Sequence, residues 1–460
     1  MPESTAETRQ PVSSPAVAAP RNAGSRPSPS LWRHPGFLKL WAGETTSQFG
    51  SQLTSLAIPV LAVSLLGASE FEVGLLGAAG TAAFLVIGLP AGAWVDRWLK
   101  RRVMIVADLV RMVTLMLIPA LWALELLQMW HVYLVAAVIG SATVFFDVSY
   151  QSYVPILVAK KQVSEANSKL EGTAQVARIG GPAAAGGLLH VMLAPMLLFG
   201  TAIGYLVSAA FLWRIRDTER LADPAERDSL AREIGEGVGF VWRHPLLRRI
   251  TATTAVTNLF GTITATLVPI LVLRDLDLGA AGLGIMMSFG AVGGVTGALA
   301  TPWLTRRIGE GTVIPLAVVA SGLLAALVPL SAVFPAAALP LLMVAEFGLG
   351  FMVLVYNITQ VSLRQRLCPT RLLGRMNASI RFVVWGVMPI AGVASGVLGQ
   401  SLGLLPTMWI GVAGGVLGSA FVLFSPLMGM RVLPDGEEPV QDDLPPEDLQ
   451  PEDLQWEKPE

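Results

Sequence analysis

Charge is scarce in this chain: of 460 residues only 14% are Asp, Glu, Lys or Arg, against about 25% in a typical soluble domain. So few charges cannot cover a water-facing surface, and lipid must take over much of that role. The net charge of −1 gives no basis for a nucleic-acid partner. Cysteine is nearly absent: Cys368 stands alone, which excludes an intramolecular disulfide. The four histidines, His34, His131, His190 and His244, are scattered and offer no metal-ligand spacing. None of the six lysines follows a glycine, which excludes a P-loop and with it ATP hydrolysis by this chain alone. No metal or nucleophile constellation stands out, so neither an enzyme nor a bound cofactor is expected.

What remains is apolar. Hydrophobic residues make up 53% of the chain, and the mean hydropathy is +0.60. Crossing a bilayer takes about 20 such residues in helical form. Twelve candidate spans fall near 37–65, 71–93, 103–127, 132–154, 169–192, 195–213, 250–273, 281–303, 312–334, 339–361, 379–400 and 405–428. The sequence therefore predicts an all-α polytopic membrane protein. Residues 1–36 read as a disordered arm rich in Pro, Ser and Ala, with no early apolar core of a signal peptide. Two six-helix bundles are expected over 37–213 and 250–430, joined by a polar loop over 214–249. The tail, 431–460, is acidic and repeats Pro-Glu-Asp-Leu-Gln at Pro446 and Pro451. It reads as a solvated tail or as a docking segment for a protein partner.

Cations set the orientation, because Lys and Arg favour the cytoplasmic side. With both termini cytoplasmic in a cell membrane, the basic residues from Arg97 to Arg102 and at Lys160, Lys161, Arg306, Arg307, Arg364, Arg366, Arg371 and Arg375 all lie inside. Only Arg274 falls in an outer loop. The two halves also repeat. Gly92 to Arg102 at the end of the second span matches Gly297 to Arg307 at the end of the eighth at six of eleven positions. An even number of spans between copies makes them parallel, an arrangement known in transporters.

Polar groups at membrane depth are costly and mark function by default. Glu44, Gln48, Gln52 and Ser55 share a face of the first span, and Asp147, Tyr150 and Gln151 one of the fourth. Thr254, Asn258, Thr262 and Thr266 line the seventh, and Glu346, Gly350, Asn357 and Gln360 the tenth. Glu346 is flanked by apolar residues about a third of the way along its span. It can carry a proton or act as hydrogen-bonding glue between helices. Asp147 and Glu44 are the other coupling candidates, Asp147 suiting a cavity role or a charge network equally. Asp108 and Arg111, three apart, can pair with each other. Arg178 either snorkels to the inner surface or meets Glu171 or Asp147.

Gly92, Asp96, Arg97, Lys100 and Arg101 fall in the register of the loop signature Gly-x-x-x-Asp-Arg-x-Gly-Arg-Lys, with Leu99 where Gly is usual. On these residues the chain resembles the major facilitator superfamily. Gly181-Pro182 with Gly186-Gly187 is similar to that family's export-associated Gly-Pro-x-x-Gly-Gly, with one extra residue in the spacing. The stretches Phe146 to Pro155 and Phe240 to Leu247 are similar to the branch of macrolide-efflux and enterobactin-export proteins. The resemblance implies a central cavity lined by the first, fourth, seventh and tenth spans, the four that carry the polar stripes. Asp96 and Arg97 are expected to latch the halves on the cytoplasmic face, the alternative being a solvated loop that only carries positive-inside charge. The resemblance also implies export of a small lipophilic compound such as a drug, an antibiotic or a siderophore-like metabolite, and the carboxyls at membrane depth, Glu346 first, make protons the expected drive. The usual fourth-span arginine of proton antiporters has no match, since 132–154 holds no Arg or Lys. An importer or uncoupled facilitator is the first alternative. A membrane sensor or scaffold using the acidic tail is the second.

Overall fold

The computed structural model describes residues 31–159, 162–216, 219, 230–369 and 372–431. The reading of the tail falls almost wholly outside these residues, as does that of the arm up to residue 30. The first half runs α1 (Pro35–Val60), α2 (Glu70–Val86), α3 (Gly88–Asp96), α4 (Lys100–Ala123), α5 (Met129–Leu157), α6 (Val163–Val191) and α7 (Ala194–Trp213). A connecting helix α8 (Leu230–Arg243) follows. The second half runs α9 (Pro245–Ile270), α10 (Gly279–Ile308), α11 (Glu310–Ala325), α12 (Leu327–Leu330), α13 (Ala338–Leu367), α14 (Leu373–Leu402), α15 (Leu404–Gly418) and α16 (Ala420–Leu423).

Among the described residues, ten helical segments are long and apolar enough to cross a membrane. The second and fifth of the twelve expected spans fall short for different reasons. The second is broken at Ile87 (φ −117°, ψ −7°) into α2 and α3. Pro90 has no N–H to return to Val86, so the ladder is interrupted there. The fifth, α6, carries Glu165, Lys169 and Glu171 in its first third and Arg178 near its midpoint. Both are walled by other spans, α2 by α5 and α14, and α6 by α1 and α10. They complete two bundles of six.

The repeat goes deeper than the loop match. In the first half α1 packs on α6 and α7, α2 on α5, and α4 on α5 and α7. In the second half α9 packs on α14 and α15, α10 on α13, and α11 on α13 and α15. Each contact has its counterpart. So do details at an offset of 210 residues. His34 and His244 both cap the following helix, their Nδ1 accepting from Phe37 N (3.0 Å) and Leu247 N (3.5 Å). Prolines at the first helical position fix φ at both starts. The seventh span therefore begins at Pro245 and not at 250, and the first at Pro35, preceded by a 3₁₀ turn whose Leu31 is fully buried. Near the far ends, Pro59 and Pro269 are each followed by one π-helical turn, Leu61–Leu65 and Leu271–Asp275.

The two halves meet most extensively at one end. A buried apolar cluster there joins residues of α1, α2 and α7 to residues of α9, α10, α13 and α15. Glycines allow the approach: a Cβ on Gly74 of α2 would lie 2.5 Å from Gly396 Cα of α14, and one on Gly186 of α6 3.1 Å from Ala281 Cα of α10. At the opposite end the buried apolar clusters belong to one half each, one built around Phe37, Met104 and Tyr153, the other around Ile314, Leu363 and Met376.

Candidate functional site

The polar residues of the first half converge on Arg111. Its guanidinium is 2% exposed, and its Nη1 lies 3.6 Å from Asp108 Oδ1. It also donates to Ser47 Oγ of α1 (3.2 Å). The ring of Phe146 sits 4.3 Å from its centre and that of Tyr205 5.2 Å, a packing that suits the weakly hydrated, planar guanidinium. Glu44 is buried beside it and accepts from Gln48 Nε2 (2.7 Å). Asp108, Arg111 and Asp147 all lie within electrostatic reach of Glu44. Arg111 thus pairs with Asp108 on its own helix and lies within electrostatic reach of carboxyl groups on α1 and α5. Five of these buried atoms, Glu44 Oε2, both carboxyl oxygens of Asp108, and Arg111 Nε and Nη2, have no hydrogen-bond partner among the described residues. A buried carboxyl oxygen without a partner can accept a proton or a water, and a buried guanidinium N–H can donate to a water or a ligand atom. Asp108 and Arg111 pair with each other, and Arg111 also reaches α1.

Two cavities meet at Glu346. The first, about 660 Å³, lies between the halves below the closed end and is lined by α1, α2, α5, α9 and α10. The second, about 310 Å³, lies within the second half among α9, α11, α13 and α15. Asn258, Thr262 and Asn357 line the second together with Thr254 and Tyr356, whose hydroxyls are 2.6 Å apart. Glu346 belongs to both walls. Gly290 of α10 makes room for it, since a Cβ there would stand 2.9 Å from Glu346 Oε2. The seventh- and tenth-span stripes therefore face a common space.

Other positions are placed differently. Gln52 packs against Gly181 of α6, whose missing side chain makes the room. Gln151 is exposed, and Gln360 is buried beside Asn357 (3.5 Å). Tyr150 stacks on Phe146, with centroids 6.5 Å apart. Arg178 is exposed and forms no ion pair among the described residues, while Glu171 accepts from Gln175. Pro182 and Gly186 form the contact with Gly284 of α10, and Gly187 meets nothing among the described residues. In the loop signature, the backbone amides of Lys100 and Arg101 donate to Glu219 (2.8 and 3.3 Å), and Arg101 Nη1 to Trp213 O and Ile215 O. Arg97 is exposed; the surroundings of Gly92 and the side chain of Asp96 lie outside the described residues.

Sequence reasoning missed Arg381 of α14. It lies within electrostatic reach of Asp147 on the other half and over the ring of Trp385 (5.2 Å). Trp385 in turn meets Phe84 of α2 edge to face (4.7 Å). A lone arginine at the start of an apolar run was the available signal. Arg274, read as an outer-loop cation, also proves to bridge the halves through Glu70 (3.7 Å).

The comparisons agree with this architecture. The chain is 25% identical over 398 residues to the multidrug efflux pump Tap of Mycolicibacterium fortuitum, covering 83% of this chain and 95% of that protein. It is 26% identical over 215 residues to the uncharacterized MFS-type transporter YfiS of Bacillus subtilis (strain 168), covering 46% of this chain and 50% of that one. In fold it is similar to the nucleoside transporter NupG, with a TM-score of 0.66 at 15% identity, over 85% of this chain and 98% of that one. The profile of the Major Facilitator Superfamily matches residues 40–393. On that match, with its two repeated halves of helices, the chain belongs to the Major Facilitator Superfamily, a family of secondary transporters and not of enzymes.

Proposed function

We propose that this transporter exports a small lipophilic or amphipathic compound by proton-coupled alternating access, with both termini cytoplasmic. The observation that carries the reading is the position of Glu346, an ionisable group on the wall shared by the inter-half cavity and the second-half pocket. A carboxyl there can sense occupancy of one space and exchange its proton through the other. The inter-half cavity is mostly apolar, with Phe84, Met286 and Met287 beside Ser51, Thr81 and Tyr205. Such a lining suits an apolar or amphipathic ligand fixed by a few polar contacts. The distant likeness to a multidrug efflux pump, and the resemblance to macrolide and enterobactin exporters, support the outward direction. In the proposed orientation the closed end faces outward, and the cluster around Arg111 is a second place where a proton can be held.

Transport in inside-out vesicles with an imposed proton gradient tests this. A panel of macrolides, other lipophilic drugs and siderophores would be added in turn. Proton release on adding a compound, lost in Glu346→Gln while binding persists, is the expected result. Wild-type pumping by Glu346→Gln would remove that residue from coupling. Downhill movement with no proton release would establish a facilitator instead.

A further inference from the structure

A third cavity, about 770 Å³, lies away from the transport path, between α4 and α5. Its origin is legible in the side chains. Ala107 on α4 faces Ala137, Ser141 and Ala142 on α5, and small residues on both helices leave a groove where larger ones would fill it. Val103, Val106 and Val110 form one wall, and Phe145 lies toward one end. Val106 is 57% exposed and Val110 37% exposed, so the groove opens on the face these spans turn to lipid. At that same end, where α4 begins, Arg97 and Arg102 line it beside Trp98. Both arginines are exposed, and neither is in an ion pair among the described residues. Trp98 is 49% exposed and Trp94, stacked on Phe145 at 6.1 Å, is 39% exposed. Exposed tryptophans of this kind sit at headgroup level.

We infer that this groove is a binding site for one anionic phospholipid, its phosphate held by Arg97 and Arg102 and an acyl chain lying along Val103, Val106 and Val110. Charge complementarity selects the occupant. Two guanidinium groups line the groove and, among the described residues, no acidic side chain does, so none of them accepts the ammonium of a zwitterionic headgroup. The apolar walls require a chain, which a soluble anion lacks. The site also places a lipid against Arg97, within the loop signature, so leaflet charge acts directly on that loop.

Brominated lipid quenches nearby tryptophan, and Trp98 is the reporter. The full chain is placed in phosphatidylcholine nanodiscs containing increasing fractions of brominated phosphatidylglycerol or brominated phosphatidylcholine. The Trp98 signal is the difference between wild type and Trp98→Phe. The anionic lipid should quench it at a mole fraction lower by about fivefold for each arginine engaged. Arg102→Gln should remove about one such factor, and Ser141→Leu, which fills the groove, should abolish the preference. Competition by unlabelled phosphatidylglycerol on wild-type protein gives the same answer without any variant. Equal quenching by the two lipids would mean ordinary boundary lipid and would overturn the site. Relief of quenching by millimolar inorganic phosphate would also overturn it, by showing that the arginines take a free anion.

Discussion

Arg274, in the π turn that follows α9, reaches across to the other half, where its Nη2 donates to the carbonyl of Ala68 (2.5 Å) and its Nη1 lies 3.7 Å from Glu70 Oε1. This is a polar tie between the halves at the end where they close. Both side chains are partly exposed, so the ion pair itself is worth only about 0.2–1 kcal/mol. The bond to a backbone carbonyl adds a charge-assisted contribution of about 1.5–3 kcal/mol.

Arg274→Ala should therefore weaken the closed end and enlarge the population in which it opens by about tenfold or more. Spin labels at Leu193 and Phe334, exposed positions of opposite halves, report this as a longer inter-label distance in part of the ensemble. Glu70→Gln should give a smaller change than Arg274→Ala, because the Ala68 bond survives.

Gly74 gives a steric version of the same experiment. Its substituted Cβ would fall on the backbone of Gly396, which cannot rotate away. Gly74→Val should obstruct closure at a cost of about 1–3 kcal/mol, as overpacking does, and shift the same label pair further than Arg274→Ala. Gly187→Val is the control, since nothing among the described residues lies near that position.

Arg111 is the structural centre of the first half as well as part of its polar site. Removing one member of a buried pair strands the other, at a cost of about 3–5 kcal/mol. Arg111→Ala should lower the melting temperature in detergent markedly. The double change Asp108→Leu with Arg111→Met should recover much of that loss, which scanning fluorimetry reads directly.

His244 makes the start of α9 pH-sensitive. Burial holds its pKa below the usual 6.5, so the neutral ring is favoured in the folded protein. The sign follows: the unfolded chain binds the proton more readily, so this contribution is present above about pH 6.5 and is lost as pH falls through the depressed folded value. Protonation also takes away the Nδ1 lone pair that accepts from Leu247 N. Amide exchange over Leu247 to Ile250, corrected for its intrinsic pH dependence, should accelerate as the pH falls below about 6.5. His244→Asn, which caps at any pH, should flatten that dependence.

Much of the fold was legible because hydrophobic run length is a local property. Twelve runs, a loop repeat and four polar stripes follow from counting residues, and Glu346, Asn258 and Asn357 share a pocket because each stripe keeps to one face of its helix. The stripes failed where a neighbour intervened. Gln52 points at a glycine of α6, and Gln360 is buried beside Asn357 without lining either cavity. The histidine caps, prolines and π turns at an offset of 210 residues were present in the sequence. They became evident as a repeat only when both helices were seen to use them alike.

By itself, the sequence determined that the chain is helical, membrane-spanning and built twice, since apolar length and helical period are properties of a segment. Which residues meet was decided only in three dimensions. Trp385 against Phe84, Arg274 tied to Ala68, and Glu346 between two cavities each depend on how separate helices pack. That packing is set by the fit of small and large side chains over many contacts, such as Gly74 against Gly396 and Gly290 against Glu346, and no period along a single helix encodes its partner.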